Sequence, residues 1–207
     1  MAGLKRSATV KRKAGRYHHG RLKQALIAAG RALLEQRGLK GFTLRECARR
    51  AKVSHAAPAH HFNSVEDLLA EIAADGFDEL TAAMERAAAK QKDAAERLAA
   101  LGRAYVEFAL ANRAVFQLMF NREARSEDNE RLGVAAKAAY LRLTDAIESV
   151  NPHRSPTAKQ TTADLAWASV HGFAMLALGQ QLRRADVPFA RRLDTLLSAL
   201  VAAIAAA

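Results

Sequence analysis

The chain has a single cysteine, Cys47, which excludes an internal disulfide framework and a cysteine-based zinc site. Four prolines and eleven glycines in 207 residues leave few breaks for helices, and the scarcity of β-branched residues leaves little to favour sheets. No uninterrupted apolar run reaches membrane-spanning length. The basic N-terminus lacks the apolar core of a secretory signal, so a reducing cytoplasm is the expected compartment. Paired carboxylates, a phosphate-binding loop, a nucleophile elbow and a His-Glu metal pattern are all missing, so neither an enzyme nor a cofactor is expected. The adjacent histidines His18–His19 and His60–His61 diverge by about 100° on a helix and are poorly placed to share a metal ion.

Acidic residues are nearly missing from the first third. Residues 1–62 hold fifteen lysines and arginines against Glu35 and Glu46, a balance of +13. Residues 63–207 hold seventeen against nineteen acids, a balance of −2. A basic head on a near-neutral body implies a polyanionic partner at one end.

What is present is alanine, leucine and helical spacing. Residues 1–16 have charge without a periodic apolar face and read as a flexible basic arm, with Lys11, Arg12, Lys13 and Arg16 suited to phosphates. The first helix spans about 19–37, with Leu22, Leu26, Ala29 and Leu33 on one face, and Gly38 and Gly41 stop it. Thr43 and Glu46 form a capping box for a second helix over 44–50, with Phe42 and Cys47 as its hydrophobic staple. A four-residue turn leads to Ser54, the expected cap of a third helix, and Ser64 with Asp67 starts a fourth over 65–89. Further helices are expected over 93–112, 114–121, 126–149, 157–183 and 189–205. The fold class is all-α with about nine helices and no internal repeat.

Three close helices, the second and third joined by a short turn, make a helix-turn-helix. The third would lie in the DNA major groove and must be slim. The segment "SHAAPAHH" suits that, because Ala56, Ala57 and Ala59 allow close approach. Pro58 could touch a thymine methyl, and Ser54, His55, His60 and His61 could hydrogen-bond phosphates or bases. Phe62 turns inward and pins the segment. Cys47 is expected in the core.

The stretch "YHHGRLKQALIAAGRALLEQRGLKGFTLRECARRAKVSHAAPAHHF" resembles the DNA-binding domain of TetR/AcrR-type transcriptional regulators, most strongly over 17–85. Trp167, His171 and Gly172 in "WASVHG" resemble the Trp-x3-His-Gly signature of one effector-domain branch. The resemblance implies a flexible arm over 1–16, a DNA-binding domain over 17–66, and an effector-binding and dimerisation domain over 67–207. It implies a homodimer that binds double-stranded operator DNA and a small-molecule effector. By the same resemblance, Thr43 and Arg45 contact DNA from the second helix, while Ser54, His55, Ala56, Pro58, His60 and His61 face it from the third. Lys52 belongs to the same basic surface. The sequence departs from the family pattern at Ala59, where an aromatic residue is usual, and at Val65, where Lys or Arg is usual. The basic arm with Tyr17 is the candidate compensation.

In the body, Phe108, Phe116, Met119, Phe120, Trp167, His171, Phe173 and Met175 concentrate aromatic and thioether bulk, as an effector pocket requires. The last two helices are expected to pair with their copies in a four-helix bundle, with Ala168, Gly172 and Gly179 as a small-residue stripe. Leu193, Leu196, Leu200 and Ile204 form the apolar face of the final helix. The expected function is a ligand-responsive repressor. The alternative is a weakly specific, nucleoid-type DNA-binding protein.

Overall fold

A computed structural model describes residues 15–124, 126, 128–182 and 186–206, with side chains of 15–20 and 123 left aside. The described residues form eight α-helices and no strand. They are α1 (Gly15–Arg37), α2 (Leu44–Arg50), α3 (Val65–Ala88), α4 (Ala94–Ala111), α5 (Arg113–Phe120), α6 (Glu130–Val150), α7 (Pro156–Leu178) and α8 (Phe189–Ala206), with 3-10 turns at Ala57–His60 and Arg122–Ala124. Helix α1 begins four residues before its expected start. Helices α6 and α7 are shorter than expected, because Asn129 caps the first and Gly179 closes the second.

Local chemistry sets most boundaries. Gly38 (φ 64) and Gly41 (φ 79) occupy the left-handed region between α1 and α2, where a side chain is disfavoured. Thr43 Oγ1 accepts the Glu46 N–H at 3.1 Å, and Ser64 Oγ accepts the Asp67 N–H at 3.1 Å. Asp93, Asn129 and Ser155 cap α4, α6 and α7 in the same way. The expected capping box at α2 is one-sided: the Glu46 carboxylate binds Arg49 at 2.6 and 2.9 Å. A charged guanidinium is a stronger partner than a neutral N–H.

Helices α1 and α2 bury Leu26, Leu33, Leu34, Cys47 and Ala48 against Leu68, Leu69 and Ile72 of α3. The same helix continues into the body, where Phe77, Leu80 and Met84 meet α4, α5 and α6. One hydrophobic cluster therefore runs from the head into the body. Gly76 lets α5 approach α3, since a Cβ there would lie 2.7 Å from Val115 Cγ1 and 2.8 Å from Met119 Sδ.

The face of α8 read from its spacing points inward. Leu193 and Ile204 are buried within the chain, and Leu196 and Leu200 pack on the same core. The outward face of α8 is small instead, with Thr195, Ser198, Ala199, Ala202 and Ala206 exposed. Helix α7 buries Val170, Phe173, Ala174 and Leu178 but exposes Leu165, Met175 and Leu176. No described helix is long and apolar enough to cross a membrane.

Candidate DNA-reading head and effector cavity

The exposed side of the head collects basic and small residues. Thr43 and Arg45 stand outward on α2 while Cys47 and Ala48 face the core. Burial pushes the Cys47 thiol up to about 11, so it stays protonated and behaves as a small apolar residue. Arg49 is exposed too, but Glu46 pairs with it, and Arg37 lies 3.8 Å from the same carboxylate. Arg49 first, and the other nearby cations, hold the Glu46 carboxyl at about 2. Arg45 and Lys52 have no acidic partner among the described residues. Their charge is available to a polyanion.

The segment after the turn differs from the expected helix. Ser54, His55 and Ala56 form an exposed turn, and only Ala57–His60 is helical, as a 3-10 turn. Ser54 makes no side-chain cap; its carbonyl accepts the Ala57 N–H at 3.0 Å. Pro58 supplies no N–H, and alanines supply little packing to hold a longer helix. Pro58 and Ala57 are buried. That burial runs against the expected contact between the Pro58 ring and a thymine methyl; the Pro58 carbonyl accepts the Phe62 N–H at 2.9 Å. Exposed His55, Ala56, Ala59 and His60 remain outward, with His61 half-buried. Lys11, Arg12 and Lys13 lie outside the described residues, as do the side chains of Arg16 and Tyr17.

The body holds a cavity of about 600 Å³. Helix α3 lines it with Phe77, Leu80 and Met84, α4 with Leu101 and Tyr105, and α5 with Met119 and Phe120. Helix α6 adds Lys137, Ala139, Tyr140 and Leu143, and α7 adds Ala166, Trp167 and Val170. The Tyr105 hydroxyl lies 2.8 Å from His171 Nδ1, and the Tyr140 hydroxyl accepts from Gln160 Nε2 at 2.9 Å. Burial pushes the Tyr105 phenol up, with Trp167 acting weakly in the opposite sense, and burial pushes His171 down. Both groups are neutral near pH 7, so the phenol donates and the imidazole nitrogen accepts.

Three of the eight expected pocket residues, Met119, Phe120 and Trp167, line this cavity; five do not, and of these Phe173 is buried in the core with its ring 5.3 Å from that of Phe189. Phe116 is fully buried behind Tyr105, with ring centroids 5.5 Å apart. Phe108 is a core residue. His171 sits behind the wall, its ring 4.5 Å from that of Phe120 and its nitrogen holding Tyr105. Met175 lies on the outer surface, because at 3.6 residues per turn it falls well round α7 from Ala166, Trp167 and Val170. Tyr105, Lys137 and Tyr140 went unseen in the sequence. Lys137 and Tyr140 share an i,i+3 face of α6, but spacing alone does not show that this face borders a void.

Residues 26–72 match the family model described as bacterial regulatory proteins, tetR family. Residues 98–204 match the one described as tetracyclin repressor-like, C-terminal domain. No curated protein sequence matches the chain. Among solved structures, a protein of unknown function from Rhodococcus sp. RHA1 is 35% identical with a TM-score of 0.74, over 92% of this chain and 96% of that one. The TetR family transcriptional regulator PfmR from Thermus thermophilus is 19% identical with a TM-score of 0.60, over 86% and 96% of the two chains. RolR in complex with resorcinol is 17% identical with a TM-score of 0.63, over 90% and 89%. At those last two identities the likeness is one of fold. With both halves matched, the chain belongs to the tetR family of bacterial transcriptional regulators, which act by binding DNA rather than by catalysis.

Proposed function

We propose that this regulator is a homodimeric cytoplasmic repressor released from its operator by a small, mainly apolar effector. The observation that carries the reading is the reach of α3. Its Leu68, Leu69 and Ile72 support the reading head, and its Phe77, Leu80 and Met84 wall the cavity. A ligand that binds one α3 position more tightly than another necessarily biases where the head stands. The structural neighbour RolR holds resorcinol, which makes a small organic effector a reasonable expectation here.

Thr43, Arg45, Lys52, Ser54, His55, Ala56 and His60 form the DNA-facing set, with the arm from Lys11 to Tyr17 tracking the backbone. Dimerisation runs through α7 and α8. Residues 165–182 contain no Asp, Glu, Lys or Arg, so the second half of α7 lacks charge all round although one face is exposed. Such a helix belongs inside a core or against a partner. Gly172 leaves open space for a partner helix, and the small outward residues of α8 permit close approach.

The test is a mobility shift on the DNA upstream of its own gene, with random DNA as competitor. A specific complex that survives physiological salt and dissolves on adding ligand is expected. Equal affinity for both DNAs, with steep salt dependence, would favour the nucleoid-type reading that the +13 head also accommodates.

A further inference from the structure

The cavity wall carries two cations, Arg122 and Lys137, and no acid. Helix α6 carries three cations near the cavity and α3, and two are matched. Arg131 binds Asp75 at 2.6 Å and Asp78 at 2.7 Å, and Arg142 lies 3.6 Å from Glu85. Lys137, between them in sequence, makes no ion pair among the described residues. It is exposed and lines the cavity, so the residue lies where the cavity meets solvent. The rest of the wall is mainly apolar, with Leu80, Met84, Leu101, Val170 and Trp167 beside the phenols of Tyr105 and Tyr140.

We infer that the effector is an amphipathic anion, its apolar body filling the cavity and a single carboxylate-type head held by Lys137 at the mouth. This rests on the ligand-released reading and narrows it. An apolar body gains from leaving water, whereas a buried charge loses its hydration. Placing the charged end at the rim keeps part of that hydration, and an unpaired ammonium there forms a charge-assisted hydrogen bond. A neutral ligand of equal shape forfeits that bond. A cationic ligand meets like charge on the wall and no acid to receive it.

Trp167 is the only tryptophan and lines the cavity, so its emission reports occupancy in the full chain without a label. The probes are decanoate and 1-decanol, matched in length and differing in the head. Decanoate is expected to bind about tenfold tighter, or about 1.4 kcal/mol. Lys137→Met should erase the preference while leaving 1-decanol affinity within about twofold, and Lys137→Arg should keep it. Circular dichroism melts check that both variants fold. Equal binding of the two probes to the wild type, or a preference that survives Lys137→Met, overturns the inference. If 1-decanol binds and dissolves the DNA complex without any preference, the repressor reading stands and only the anion is lost. If neither probe binds, the effector cavity falls and the anion with it.

Discussion

Lys52 holds φ 58 in the turn between α2 and the exposed segment that starts at Ser54, a conformation that costs an L-residue about 1–2 kcal/mol. Glycine would adopt it freely, but would also lose more entropy on folding. The strain is the larger of the two, so Lys52→Gly should be neutral to stabilising by about 1 kcal/mol in urea melts. The same change removes a cation without an acidic partner. Operator affinity should fall, and the slope of log K against log salt should become shallower by about 0.9, the signature of one lost phosphate contact. An unchanged slope would place Lys52 off the DNA. Pro58 illustrates the converse: its type suits a groove, but the fold buries it while His55 and His60 stay exposed.

Helix α3 is the element that runs from the head to the cavity, and ion pairs fix it on both sides. Glu71 binds Lys23 of α1 at 2.9 Å and lies 3.4 Å from Arg131 of α6, with Asn129 donating at 3.2 Å. Arg31 of α1 reaches Glu79 at 2.8 Å and Asn112 at 2.9 Å. Burial pushes the Glu71 carboxyl up, but Lys23, Asn129 and Arg131 together outweigh it, and the net direction is down. Breaking a buried pair costs about 3–5 kcal/mol when a charge is stranded. Here Arg131 keeps Asp75 and Asp78, but glutamine has one acceptor oxygen in place of two and cannot keep the bonds to Lys23, Arg131 and Asn129 together, so Glu71→Gln should cost about 1–3 kcal/mol at pH 7. Because the folded-state value is depressed, the wild-type advantage is present above pH 4.5. It is lost as pH falls through the folded-state value, so the two thermal melts should converge in acid. A constant gap across that range would assign the cost to shape rather than charge.

For the whole molecule the proposed dimer surface is the outer face of α7 and α8. Leu165 is 54% exposed and Leu176 43%, and with Met175 they leave apolar bulk on the outside of α7. Leu176→Glu should yield a monomer in sedimentation equilibrium, with helical circular dichroism retained because the side chain lies outside the chain's own core. Operator affinity should fall by more than about tenfold, since one head reads only one half-site. A variant that stays dimeric would move the interface elsewhere.

Local signals were legible in the sequence. The caps at Thr43 and Ser64, the turns at Gly38 and Gly41, the span of α3 and the basic character of the head depend on a few neighbouring residues, whose chemistry is the same in any surroundings. The all-α class and the family resemblance followed from the same signals. Which side of each helix meets another was settled only by packing. Aromatic bulk at Phe108 and Phe116 went to the core, Met175 went to the surface, and the leucines of α8 turned toward their own chain. The cavity arose where α3, α4, α5, α6 and α7 leave space between them. A void is a property of distances between elements remote in sequence, and helical period alone carries no information about them.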